Sequence, residues 1–304
     1  MGLQSRFLAH DETPAMKRLL RNLARVAAGV LILGLLAVAA IYVASEGLIR
    51  RTYDVALVPV VVPTDAASVA EGRRLATMRG CNDGCHGKGV SGGMLFDGPW
   101  YYGDMVAPDL TRVAATHSDA ELARVIRHGV RRDGRSTFGM PSSMFFHLTD
   151  ADLGVIIAFL RSLPAGSGPD TAIRFGPLGR LELVMKPYFA YATEIERDAP
   201  WATDAQLREP GGRGRYLALT VCTECHGMDL KGSDDGSTPD LVAVAAYVPD
   251  QFARLMRDGI AVGERELPFM SRVARVRFSQ FRDDEVRALY DFLIQRARDP
   301  RSHE

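Results

Sequence analysis

The chain has 304 residues, and its 37 Lys and Arg balance 37 Asp and Glu. This length suits two or three modest domains. A net charge of zero supplies neither the basic surface that nucleic acid requires nor a polybasic patch for acidic lipid, so neither partner is expected.

Residues 1–25 are polar and basic, with Arg6, Lys17, Arg18, Arg21 and Arg25. Residues 26–44 then run without a charge. At about 1.5 Å per residue this run spans roughly 28 Å, close to the hydrocarbon core of a bilayer. Tyr42 sits near its far end, where interfacial aromatics collect. The positive flank precedes the run, so residues 1–25 are expected in the cytoplasm and everything after Ser45 outside. A cleaved signal peptide is the competing reading, since Ala44 and Ser45 are small. The long basic region and the length of the apolar run favour a retained single-pass anchor.

Residues 45–63 read as an extended tether, because Pro59 and Pro63 oppose helix. Its apolar character predicts that it lies along a domain surface. A helix capped by Thr64 or Asp65 follows, with Val69, Gly72, Leu75 and Ala76 on one side. Residues 119–128 predict a second helix, carrying Leu122, Val125 and Ile126. Thr149-Asp150-Ala151-Asp152 caps a third, whose stripe is Leu153, Ile156, Ile157 and Leu160. Residues 64–165 therefore form a first helical domain. Residues 166–208 form a linker whose apolar stretch from Phe175 to Tyr191 is expected to clasp one or both domains, with a patch resting on the membrane or a partner as the alternative.

Cys222-Thr223-Glu224-Cys225-His226 reads Cys-x-x-Cys-His, the attachment sequence of a c-type haem. Two thiols on one tight turn face the same side and can each add to a vinyl group of one porphyrin, while the adjoining imidazole binds its iron. Cys81-Asn82-Asp83-Gly84-Cys85-His86 is a second copy with one extra spacer, and the two motifs use all four cysteines. Disulfides give no reason for a histidine after each second cysteine; a zinc site of paired Cys-x-x-Cys is the other alternative. The expected cofactors are two covalent haems c, attached through Cys81, Cys85, Cys222 and Cys225. His86 and His226 are the proximal iron ligands. This attachment chemistry places the cysteines in the bacterial periplasm.

Residues 209–299 repeat the first domain. Arg213-Gly214-Arg215-Tyr216-Leu217-Ala218 echoes Gly72-Arg73-Arg74-Leu75-Ala76, and Arg124, Arg127, Gly129 and Met140 recur as Arg254, Arg257, Gly259 and Met270. Matched positions in one order argue for internal duplication. They also select the sixth ligands, Met140 and Met270. Met144 is the competitor in the first domain but has no counterpart, because position 274 is alanine. A thioether stabilises ferrous haem and raises its potential relative to a second histidine. Pro108-Asp109-Leu110 and Pro239-Asp240-Leu241 each follow a motif. Each proline carbonyl is placed either to accept the free N–H of the proximal imidazole or simply to form a turn. Arg124, Arg127, Arg254 and Arg257 fit either haem propionates or solvated helix faces. His117, His128 and His147 read as surface or helix-end residues.

Both halves resemble class I cytochrome c domains: a first helix, Cys-x-x-Cys-His or its variant, a methionine loop, and a last helix ending in Phe159-Leu160 or Phe292-Leu293. The whole resembles the membrane-anchored di-haem c cytochromes of bacteria, related to cytochrome subunits of periplasmic dehydrogenases. The resemblance implies an all-α fold, an N-terminal transmembrane helix followed by two tandem domains. It implies an electron carrier without catalytic residues, taking electrons from a membrane or periplasmic oxidoreductase and passing them to a cytochrome or oxidase. A di-haem peroxidase, a thiosulfate-oxidising enzyme and a haem-based sensor are the competing classes.

Overall fold

The uncharged run lies inside one long helix, α1 (Pro14–Arg50), in a computed structural model that describes residues 14–186, 192, 195, 204–233 and 236–299. Among the described residues, α1 is the one helix long and apolar enough to cross a membrane, and its apolar window is unburied. After Arg50 the chain runs without a helix to residue 65. It is pinned as it goes: Tyr53 is buried with Val130, and its N–H donates to the Gly134 carbonyl at 2.8 Å.

Asp65 caps α2 (Ala66–Met78) by accepting the Ser68 N–H. The predicted second and third helices form as α4 (Asp119–His128), with a capping box at Ser118 and Glu121, and α6 (Asp150–Ser162), capped by Thr149. Between α2 and α4 lies α3 (Leu110–Thr116), and the short α5 (Ser142–Phe145) precedes α6. α2 packs across α6 at Gly72, where any Cβ would overlap the Val155 carbonyl oxygen and press on Phe159. The same crossing occurs later in the chain. There α9 (Gly212–Leu217) meets α13 (Asp283–Arg298), and Gly214 lies against the Ala288 carbonyl and Phe292. In both places a missing side chain lets two helix backbones touch.

The all-α expectation needs one correction. β1 (Gly93–Asp97) and β2 (Gly103–Ala107) form an antiparallel hairpin, and β3 (Ala172–Phe175) pairs with β2 to complete a three-stranded sheet. A second, two-stranded ribbon pairs β4 (Ile260–Ala261) with β5 (Arg265–Glu266). These strands are too short for an alternating pattern to stand out. β3 also gains its order from a partner about seventy positions upstream, which local periodicity cannot reveal.

The linker contributes β3 to the sheet and α7 (Pro177–Met185) to α1. Leu183 is buried with Phe138 against Leu48 and Ile49 of α1 and Phe175 of β3. The described part of the expected clasp thus ties the sheet to α1; residues 187–191, 193, 194 and 196–203 lie outside the described residues. The second unit adds α8 (Asp204–Arg208), α10 (Thr223–His226), α11 (Pro249–Asp258) and α12 (Met270–Val276). One continuous apolar core contains Leu75, Leu153 and Ile157 together with Tyr216, Leu255 and Leu289, so the two units share their interior.

Candidate functional site

The extra spacer in Cys81–His86 must be absorbed without turning the second thiol away. Asp83 takes it up in a left-handed conformation, φ 55°. The Asn82 amide braces the bulge by donating to Thr77 Oγ1 at 3.0 Å and to Asp83 Oδ2 at 2.9 Å. The Cys85 N–H reaches back five residues to the Gly80 carbonyl at 2.8 Å. Cys81, Cys85 and His86 consequently line one cavity of about 420 Å³.

Its walls are apolar, with Leu122, Val125, Ile126, Ile156 and Leu160 among them. Met140 lines the same cavity, whereas Met144 is buried in the core, 1% exposed, and does not reach it. A second methionine, Met105 of the hairpin, also lines it.

Each histidine is fixed through the same atom. His86 Nδ1–H donates to the Pro108 carbonyl at 3.0 Å, and His226 Nδ1–H to the Pro239 carbonyl at 2.8 Å. A carbonyl only accepts, so the bond selects the tautomer with a free Nε2 lone pair, the form that binds a metal. Burial lowers both imidazole pKa values, and the carbonyl bonds oppose it only in part, so neutral ligands are favoured. Both expected uses of Pro-Asp hold at once. The Asp109 side chain caps α3 by accepting the Thr111 and Arg112 N–H groups, and the Asp240 side chain accepts the Val242 N–H.

All four cysteines are free thiols. Burial pushes Cys81 up to about 11, Cys222 to about 12 and Cys225 to about 11, and raises Cys85 as well. Among the described residues no group of three or more His, Cys, Asp and Glu converges as a metal site.

The four arginines weighed as propionate partners or helix-face residues all make contacts within the protein, though the Nε of Arg124 and of Arg127 is buried without a hydrogen-bond partner. Arg124 donates to the Arg131 carbonyl, Arg127 to the Leu148 carbonyl and Asp150, Arg254 pairs with Glu264 and Arg257 with Asp283. Arg131 and Arg132 line the cavity instead, one turn beyond α4. Arg131 Nε is buried without a hydrogen-bond partner, an orphan donor that a propionate would satisfy. Two thiols, a tied imidazole, a thioether in the same cavity, apolar walls and an orphan guanidinium nitrogen together fit a covalent haem.

Residues 67–160 match the family model described as Cytochrome C oxidase, cbb3-type, subunit III. This part of the chain is a cytochrome c domain. Such a domain implies a covalent haem c and electron transfer. Over 221 residues, 66% of the chain, the sequence is 27% identical to the alcohol dehydrogenase (quinone) cytochrome c subunit of Gluconacetobacter polyoxogenes, covering 45% of that protein. It is 29% identical to one of the subunits of nicotinate dehydrogenase from Pseudomonas putida, over 59% of the chain and 16% of that protein. To the fructose dehydrogenase cytochrome subunit of Gluconobacter japonicus it is 29% identical over 46% of the chain and 28% of that protein. The chain thus spans less than half the length of these relatives. Relatives named as cytochrome subunits agree with an electron carrier.

Outside the cytochrome c domain, the second motif sits at the end of a π-helical turn, Ala218–Cys222, that leads into α10. Met270 opens α12 and packs half-buried against the shared core. Sequence reasoning missed the residues that join the motifs. Arg277, 8% exposed, pairs with Glu224, which lies between Cys222 and Cys225, at 2.8 Å. Its Nε donates to the Met78 carbonyl, three residues before Cys81, at 3.3 Å. Beside it, Arg79 pairs with Asp152 at 3.0 Å, and the Tyr216 hydroxyl donates to the same carboxylate at 2.6 Å. Arg277 and Tyr216 carry no motif, and only the folded chain reveals their partners.

Proposed function

We propose that this protein is a membrane-anchored periplasmic electron carrier that passes single electrons through two covalently bound haems c. Residues 26–44 would cross the inner membrane, with 64–165 and 209–299 as tandem cytochrome c domains outside it. The observation that carries this reading is the same imidazole-to-proline-carbonyl bond beside both cysteine motifs. A turn alone would not need it twice, and an iron ligand does.

In the first domain Cys81 and Cys85 would hold the porphyrin, His86 would offer Nε2 and Met140 its thioether. In the second, Cys222, Cys225, His226 and Met270 take these roles. The haem supplies a one-electron couple. With a histidine and a methionine both offered to the iron, a substrate would find no open position, and the apolar wall of the first cavity would exclude water. Arg131 would balance a propionate's charge. The relatives support a dehydrogenase or similar oxidoreductase as donor, with a cytochrome or oxidase as acceptor.

Intact mass of the purified protein tests the haem count; two porphyrin increments are expected. The optical spectrum tests the ligands. A weak far-red sulfur-to-iron band from both haems supports the carrier, whereas a high-spin signal from either would replace it with the peroxidase-type reading.

A further inference from the structure

We propose that the tip of the β1–β2 hairpin and the start of α7 form a membrane-contact surface lying in the headgroup–acyl boundary beside α1. This rests on reading α1 as the anchor.

The surface is apolar and open. Trp100 is 80% exposed, Leu178 47% and Tyr101 42%, although these residues adjoin an ordered sheet. Adjacent large side chains left in solvent mark an interaction site. Their level along α1 is fixed by the packing of α7. The Arg180 guanidinium donates to Ser45 Oγ at 2.9 Å, pairs with Glu46 at 3.0 Å and lies 4.8 Å from the Tyr42 ring centroid. Further along α7, Leu183 packs with Leu48 and Ile49. α7 therefore runs alongside α1 with its first residues toward the uncharged run.

The hairpin tip is tied to that lower end. The Leu178 N–H donates to the Tyr101 carbonyl at 2.8 Å, and the Gly176 N–H to the Tyr102 carbonyl at 2.9 Å. At about 1.5 Å of rise per residue, Leu178 lies roughly 3 Å below Arg180, toward Tyr42 and the end of the uncharged run. Trp100 and Tyr101 thus stand beside the last turns of the uncharged run. Tryptophan and tyrosine, apolar rings with one polar handle, are the residues that settle at this depth in a bilayer. The occupant is the lipid that surrounds α1. Leu95 and Met105 on the inner face of the hairpin line the cavity around His86, so lipid contact would hold that cavity at the membrane surface.

The test uses the full haem-loaded chain in nanodiscs of phosphatidylcholine and phosphatidylglycerol. Haem attachment consumes the native thiols, so Trp100→Cys, Leu178→Cys, Leu33→Cys and Asp250→Cys each carry a single nitroxide label. Power saturation compares collisions with oxygen and with a water-soluble nickel chelate. Labels at 100 and 178 are expected to show several-fold lower nickel access than the label at 250, with oxygen access between those at 250 and 33. If both match 250 while 33 reads deep, the anchor stands and lipid contact fails, leaving the patch to a protein partner. If 33 itself reads aqueous, the anchor fails and the proposal with it.

Discussion

Cys81–His86 and Cys222–His226 differ by one residue, and the backbone absorbs the difference in two ways. The longer motif leaves its helix at Gly80 and turns through a left-handed Asp83. The shorter one keeps its helix but widens it into a π turn over Ala218–Cys222. In both, hydrogen bonds reach back five residues: Cys81 N–H to Ala76 and Cys85 N–H to Gly80 in the first, the π turn in the second. By either route each histidine ends 2.8–3.0 Å from its proline carbonyl. The orientation of the imidazole is held in common; the route to it is not.

That equivalence can be broken outright. Deleting Asp83 converts the first motif to Cys-Asn-Gly-Cys-His. If the extra residue is only a spacer taken up by the bulge, intact mass keeps two porphyrin increments; Cys222→Ser with Cys225→Ser keeps one. Loss of a porphyrin on deleting Asp83 would mean that the two motifs are not interchangeable.

Next come the distal sides. Met140→Ala is expected to remove one far-red band and lower one reduction potential by tenths of a volt, within the roughly 0.8 V range that axial ligands command. Met144→Leu should leave both unchanged, since Met144 packs in the core. Met270→Ala should repeat the effect at the second haem. Spectra and redox titration of the three variants check this.

The joint between the units offers a smaller effect. Glu285, 1% exposed, pairs with Arg74 of the first unit and Arg213 of the second, each at 2.7 Å. Burial raises its pKa, but the Arg74 hydrogen bond, the Arg282 N–H and the two guanidinium charges outweigh it and hold the carboxyl below its ordinary value. A depressed carboxylate contributes stability above its unfolded pKa, and that contribution is lost as pH falls through the folded one. Glu285→Gln should cost about 3 kcal/mol, the low end for a broken buried pair because Arg213 is partly solvated. It should also flatten the acid side of the stability profile, read by denaturant titration at several pH values.

The smallest contrast sets the two Pro-Asp turns against each other. Asp109 is 1% exposed and accepts from Thr111, Arg112 and Gly168, whereas Asp240 accepts from Val242 and pairs with Arg296. Asp109→Ala should cost about 2 kcal/mol and Asp240→Ala about 1, within the usual range for helix caps. Thermal unfolding compares them.

The parts of the molecule legible in advance were those whose cause is local. A helical stripe gave α4 its bounds of Asp119 and His128, and a capping sequence at Thr149 gave the start of α6. Spacing gave the thiols, and repetition singled out Met140 over Met144. Contacts between distant positions stayed hidden. β3 is a strand because β2 is beside it, and Arg131 lines the cavity because the turn after α4 brings it there. Arg277 looks like a surface residue at a helix end until Glu224 and the Met78 carbonyl close over it.

That closure has a kinetic meaning. Two redox carriers on a loose string exchange charge only in the moments when they collide. Here the guanidinium of Arg277 bolts the shoulder of one attachment loop to the middle of the other. With both porphyrins in place, the rate of passage between them would be set by a constant separation instead of by the swing of a hinge. Whatever frees Arg277 from Glu224 should therefore slow that passage.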